Sequence, residues 1–171
     1  MTGSSAVLRP AKAAAPPPAP RIFDQTSSAD SAPALKERLV QLQEQLRGAD
    51  AREILRLGVQ EAFKGKIAVV SSFGSESVVL LHLLSEIDPG VPVIFLNTGK
   101  LFGETLRYRD RLQDVLGLLD VRAIGPSLAD AREKDPQGNL WASNPDACCN
   151  FRKVVPLQRA LAGFDAEITG R

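Results

Sequence analysis

The sequence predicts an α/β fold, a doubly wound parallel sheet covered by helices, and three observations carry that expectation. Short unbroken apolar runs, Ile67-Ala68-Val69-Val70 and Val93-Ile94-Phe95-Leu96, have the length and β-branched content of strands buried on both faces. Between such runs lie longer stretches whose apolar residues recur at helical spacing. The two kinds of segment alternate, and alternation at this length implies parallel strands joined by crossover helices. With 171 residues and 44% hydrophobic content, the chain has room for one domain with an ordinary core.

In chain order, residues 1–30 are rich in Ala, Pro and Ser and carry few large apolar groups, so they are expected to form a mobile tail. Residues 31–64 should hold two helices. The first starts near Pro33, with Asp30 or Ser31 as its cap and Leu35, Leu39, Leu42 and Leu46 on one stripe. The second covers 51–63, with Ile54, Leu55, Leu57 and Val59 as apolar positions. Residues 65–171 then carry the sheet. Strand 67–70 leads through a loop of Ser and Gly to a helix over 76–86, which Pro89, Gly90 and Pro92 end before strand 93–96. A helix over 103–116, a strand over 120–124 and a short helix over 128–132 follow. Residues 134–145 read as loop, 149–161 as a helix despite Pro156, and 166–169 as a last strand.

Twenty-one Lys and Arg balance 20 Asp and Glu to a formal charge of +1, so no global field points to nucleic acid or to an anionic membrane surface. Any anion site must be local. No apolar run approaches the roughly 20 residues of a membrane helix, and the prolines at 16, 17, 18 and 20 break up any signal-like core. A cytoplasmic protein is the expectation. Only two cysteines occur, Cys148 and Cys149, and a disulfide between neighbours would be strained and close almost no loop. Adjacent thiols of this kind suit a metal or redox chemistry, or are buried spectators. Nothing in the pattern speaks to oligomeric state.

The first chemistry-bearing segment is Ser71-Ser72-Phe73-Gly74-Ser75-Glu76-Ser77, between strand 67–70 and the next helix. A loop there puts backbone N–H groups and a helix dipole at the carboxyl edge of the sheet, where an anion can be held without surplus basic side chains. Gly74 would let the backbone approach closely, and the serines add hydroxyl donors. The order GxxxxGK[ST] of a Walker A loop is absent, as are the extra glycines of a dinucleotide fingerprint. An ordinary turn with a Ser cap has the same composition. His82, the only histidine, sits in an apolar helix and reads as a packed or surface residue. Arg107, Tyr108 and Arg109 read as packing and solvated charge.

Ser72-Phe73-Gly74-Ser75-Glu76-Ser77 resembles the modified loop of the adenylyl-sulfate and phosphoadenylyl-sulfate reductases, relatives of the ATP pyrophosphatases with their SGGxDS loop. Phe73 stands where the ATP-cleaving relatives have a glycine, which favours a reductase over an ATP-cleaving enzyme. Phe95-Leu96-Asn97-Thr98-Gly99-Lys100-Leu101-Phe102-Gly103-Glu104-Thr105 resembles the family's LDTG-x-L-x-x-ET segment, with Asn97 in place of the usual Asp. Cys148-Cys149-Asn150-Phe151-Arg152-Lys153-Val154-Val155-Pro156-Leu157 resembles CC-x-x-RK-x-x-PL, the signature of the members that act on adenylyl sulfate. Ile168-Thr169-Gly170-Arg171 resembles I-[TS]-G-[LR]-R.

The resemblance runs from about residue 35 to the last residue. It implies an adenine nucleotide alpha hydrolase-like (PP-loop) fold, incomplete at its C-terminus. It implies a nucleotide site formed by Ser71, Ser72, Phe73, Gly74, Ser75, Glu76, Ser77, Leu96, Thr98 and Gly99, with Arg152, Lys153, Gly170 and Arg171 near the phosphosulfate. It implies that Cys148 and Cys149 are two of the four thiolate ligands of a 4Fe-4S cluster. The implied reaction is reduction of adenylyl sulfate, or its 3′-phospho form, to sulfite and AMP, with thioredoxin or a similar dithiol as reductant. In the family pattern the nucleophile is a cysteine in an E-C-G-[IL]-H context, which would lie past Arg171. An inactive domain that retains adenine-nucleotide affinity is the alternative for a chain with this cysteine content. A helical adaptor that leaves the loops idle is a further one.

Overall fold

The computed structural model describes residues 32–170. The tail over 1–30, the cap at Asp30 or Ser31 and the role given to Arg171 fall outside the described residues. Helix α1 covers Ala32–Gln45 and α2 covers Ala51–Leu57. A reciprocal capping box starts α2: Asp50 accepts from the Glu53 N–H at 2.9 Å, and Glu53 accepts from the Asp50 N–H at 3.0 Å. The helix does not run on regularly to Phe63, as the periodicity predicts. It widens into a π turn, Gly58–Ala62, closed by the Phe63 N–H on the Gly58 carbonyl. Arg38 of α1 donates to the Ala62 carbonyl and lies over the Phe63 ring, which ties the two helices together there.

The sheet follows the expected alternation. Its elements are β1 Ile67–Val70, α3 Ser77–Ile87, β2 Val93–Leu96, α4 Gly103–Leu116, β3 Val121–Ile124, α5 Leu128–Lys134, α6 Leu140–Ser143, α7 Pro145–Cys149, α8 Val155–Leu161 and β4 Ala166–Thr169. All pairings are parallel, in the order β3-β2-β1-β4. Val70 pairs with Ile94 on one side and with Thr169 on the other, so β1 and β4 end together while β2 runs two residues further. Strand order reverses between β1 and β4, because the chain steps outward through β2 and β3 and then returns to the far side of β1. Such a reversal leaves a crevice outside the carboxyl ends of the strands.

The apolar runs bury as their composition requires. Ala68, Val69, Val93 and Ile94 are fully enclosed, so β1 and β2 are covered on both faces. Val59, Phe73, Leu81, Leu84, Phe95, Leu112 and Leu118 complete the core around them. Each such side chain contributes on the order of 1.5–3 kcal/mol by leaving water. The outer strands are covered less: Arg122 and Ala123 of β3 are exposed, as are Glu167 and Thr169 of β4. His82 lies on the outer face of α3 beside Glu86.

Two expectations between β3 and β4 are corrected. Residues 134–145 are not all loop, since α6 forms at Leu140–Ser143; its first N–H is capped by the carboxylate of Asp135 at 3.0 Å, five residues upstream. The next helix starts at Pro145, not at Cys149. Asn144 accepts from the Ala147 N–H at 3.0 Å, and Pro145 at the first position lacks the donor that would go unused there. Between α7 and α8 the chain makes a second π turn, Asn150–Val154. Pro156 cannot donate to the carbonyl four residues back, and the ladder opens just ahead of it.

Candidate functional site

A cleft of about 420 Å³ opens at the carboxyl edge of the sheet, over the reversal between β1 and β4. It lies within the usual size range of small-molecule sites. Val70, Phe95, Leu96 and Thr169 line it at the strand ends.

Ser71, Ser72 and Ser77 of the serine loop line the cleft as well. The Ser71 N–H donates to the Ile94 carbonyl at 3.0 Å and so prolongs the β1–β2 pairing by one step. The Ser71 hydroxyl oxygen accepts from the Phe73 N–H at 3.1 Å, that of Ser72 accepts from the Gly74 N–H at 3.4 Å, and the Gly74 carbonyl accepts from the Ser77 N–H at 3.0 Å. Helix α3 then starts with no side chain capping it, which leaves N–H groups of its first turn available to a ligand.

The unusual backbone of this loop is at Phe73, not at Gly74. Phe73 has φ 58°, the left-handed region that a bulky residue seldom enters. Its ring is 1% exposed and meets Phe95 edge-on, with centroids 5.6 Å apart and planes at 88°. Packing of the ring holds the main chain where a glycine would go without strain. Phe73 thus supports the loop from inside the core.

The second motif leaves β2 as two tight turns. Asn97 Oδ1 accepts from the Gly99 N–H at 3.2 Å, Thr98 Oγ1 accepts from the Lys100 N–H at 3.3 Å, and Gly99 has φ 71°. The amide of Asn97 makes its turn bond without bringing a charge to the cleft mouth. Lys100 reaches across to the Gly138 carbonyl at 2.6 Å.

The third motif splits at the π turn. Lys153 lines the cleft, whereas its neighbour Arg152 turns into the protein. Arg152 donates to the Thr98 carbonyl and to the carboxylate of Asp135, each at 2.7 Å, and lies 4.5 Å over the Phe151 ring. Placing both basic residues beside a bound anion, as the motif suggests, therefore fits Lys153 only. Cys148 is buried and Cys149 exposed, both at the end of α7. Two adjacent soft thiols fit two of the four positions of an iron-sulfur cluster. The other two ligands have no counterpart, since the chain holds two cysteines in all, and no cluster of three or more His, Cys, Asp or Glu is found among the described residues.

Of the residues singled out in the sequence, the structure brings Ser71, Ser72, Ser77, Leu96, Thr98, Lys153 and Gly170 to one cleft. Gly74, Ser75 and Glu76 are exposed on the loop, and Gly99 is exposed beside Arg152. Leu101 and Thr105 line the cleft without having been singled out individually, although both stand in the second motif. Asp135 was missed, because an aspartate in an apparent loop gives no sign of a partner 17 residues away.

Comparison with known proteins bears on what such a cleft belongs to. The family model of the phosphoadenosine phosphosulfate reductase domain matches residues 66–171, the whole sheet and every motif above. The chain belongs to this reductase family. An adenosine 5′-phosphosulfate reductase of Mesorhizobium japonicum is 53% identical over 119 residues, covering 70% of this chain and 47% of that protein. One from Mycobacteroides abscessus is 39% identical over 146 residues, covering 85% of this chain and 59% of its own length. The chain thus spans about half the length of the curated relatives it matches. Among solved structures, the phosphate complex of phosphoadenylyl-sulfate reductase from Candida auris is 26% identical with a TM-score of 0.67, covering 80% of this chain and 68% of that one. Among the described residues, no helix is long and apolar enough to cross a membrane.

Proposed function

We propose that this reductase-family chain binds adenylyl sulfate in the cleft between the serine loop and the second motif, as the nucleotide-binding part of an adenylyl-sulfate reductase. The single observation that carries the reading is the convergence of Ser71, Ser72, Ser77, Thr98 and Lys153 on one cleft at the reversal of the sheet. The uncapped start of α3 and the serine hydroxyls suit the phosphate, and Lys153 supplies the positive charge for the sulfonate end. Leu96 and Leu101 give an apolar surface on which an adenine can lie. The Candida auris relative is a phosphate complex, which is in keeping with an anion site in this fold.

In this reading a cysteine thiolate attacks the sulfur of bound adenylyl sulfate, AMP leaves with the bridging oxygen, and the thiosulfonate formed on the enzyme releases sulfite when thioredoxin or a similar dithiol is oxidised. In this reading neither Cys148 nor Cys149 takes the nucleophile's part; both would hold a 4Fe-4S cluster together with two further thiolates. Such a cluster would supply a polarisable, delocalised iron-sulfide charge at the end of α7.

Calorimetric titration tests the nucleotide site. Wild type should bind adenylyl sulfate, and Lys153→Ala should weaken that binding about 10- to 100-fold, the size of one lost charge-assisted hydrogen bond. No binding by wild type, or an unchanged affinity in the variant, would refute the site. Binding without sulfite release in the presence of thioredoxin would favour the other reading, an adenine-nucleotide-binding unit.

Iron and acid-labile sulfide test the cysteine pair. The anaerobically purified chain alone should hold almost none. A form continued through any downstream reading frame that supplies a second cysteine pair should hold the cluster, and Cys148→Ser should remove it. An iron-free extended form would end the cluster reading.

A further inference from the structure

Arg152 and Asp135 form a buried ion pair, with side chains 8% and 1% exposed, at a point where three separate segments meet. The Asp135 carboxylate accepts from Arg152 Nη2 at 2.7 Å and from the Leu140 N–H at 3.0 Å. Arg152 Nη1 donates to the Thr98 carbonyl at 2.7 Å, and a Cβ at Gly99 would lie 3.5 Å from the same nitrogen. Burial raises the affinity of Asp135 for a proton, but the bonds from Arg152 and Leu140 and the charges of Arg152 and Lys100 outweigh it, and its carboxyl stays below the ordinary value. It is therefore ionised at neutral pH and balances the buried guanidinium.

What this pair holds is the wall of the cleft. Thr98 belongs to one wall, and Lys153, the next residue after Arg152, to another. Arg152 Nε is buried with no partner. Two strong bonds, to Asp135 and to Thr98, thus orient the guanidinium although its Nε–H goes unused, which carries a cost in a dry site. With Arg152 held inward on the π turn, its neighbour Lys153 lines the cleft.

We propose that Asp135 is a positioning residue of the anion end of the cleft: through Arg152 it fixes the π turn that presents Lys153 and the loop that carries Thr98. The proposal rests on the reading of the cleft as an adenylyl-sulfate site. Asp135 touches no ligand. Its removal frees the guanidinium to leave the interior, and the π turn and Lys153 move with it.

The test compares affinities of the full chain for adenylyl sulfate and for AMP, which lacks the sulfonate, and follows thermal stability alongside. Asp135→Asn should reduce the preference for adenylyl sulfate over AMP about tenfold, the worth of the Lys153 contact. In a Lys153→Ala background it should reduce that preference no further, because residues acting through one another are not additive. Asp135→Leu with Arg152→Met leaves no unpaired buried charge, so it keeps the test open if Asp135→Asn fails to fold, and it should lose the same preference. Equal weakening of both ligands in step with stability, or additive losses in the double variant, would overturn the positioning role. Wild-type chain that binds neither ligand would overturn the adenylyl-sulfate reading itself, and this proposal with it.

Discussion

Phe73→Ala should lower the free energy of unfolding by roughly 3–5 kcal/mol, the usual cost of emptying a fully buried aromatic site. The ring is enclosed by core residues of β1, β2 and α3 and stacks edge-on with Phe95, so little can collapse into the space. The backbone adds a second, opposite effect. At φ 58°, an L-residue is strained by about 1–2 kcal/mol, which glycine does not suffer. Phe73→Gly should therefore be no less stable than Phe73→Ala, although glycine elsewhere costs about 0.5–1 kcal/mol relative to alanine. Urea unfolding of the two variants reads the difference directly. A glycine variant weaker than the alanine one by that ordinary margin would mean that the loop relaxes out of the left-handed conformation once the ring is gone. In either variant the hydroxyls of Ser71 and Ser72 lose their fixed turn, and affinity for adenylyl sulfate should fall with stability.

The same residue marks how far the sequence could be read. The apolar runs at 67–70 and 93–96 were legible because both faces of these strands are buried, which leaves a continuous apolar signal. The placement of the loop after β1 at the carboxyl edge of the sheet was legible because it stands between a strand and a helix. Which of its residues carries the special backbone was not. Gly74 invited that role by composition, whereas packing against Phe95 gives it to Phe73, and packing is a long-range fact. The Arg152 and Lys153 pair shows the same limit. Two adjacent basic residues look equivalent in a motif, but the π turn sends one inward to Asp135 and the other to the cleft, and i→i+5 bonding has no local signature beyond the nearby Pro156. The capping box of α2 lies at the other extreme, since every atom it uses belongs to residues three apart.

Gly125→Ala should be a strongly damaging conservative change, since residue 125 backs the turn that carries Thr98 to the cleft. A Cβ at residue 125 would lie 2.2 Å from the carbonyl oxygen of Asn97, and 3.3 Å from its carbon, and both obstacles are main chain that no rotamer change can move. The ends of β2 and β3 are joined at this spot by the Asn97 N–H on the Ile124 carbonyl at 2.7 Å, and Pro126 restricts the exit from β3. Either β3 shifts and breaks that bond, or the turn at 97–100 shifts into the cleft and takes the Thr98 carbonyl away from Arg152. Overpacking together with one lost hydrogen bond costs about 2–4 kcal/mol, and affinity for adenylyl sulfate should drop by more than the loss of stability alone explains, because the displaced turn is a wall of the site. Gly58→Ala supplies the contrast with the same chemical change. Gly58 has helical φ and ψ, and a Cβ there would meet only Ile67 Cδ1 at an ordinary 3.6 Å, so alanine should stabilise the chain by about 0.4–1 kcal/mol through the unfolded state. Opposite signs at these two glycines, read by urea unfolding, would locate the requirement for glycine in the close approach of Asn97 and Gly125; a neutral Gly125→Ala would show that the two strand ends separate freely and that the cleft wall does not depend on them.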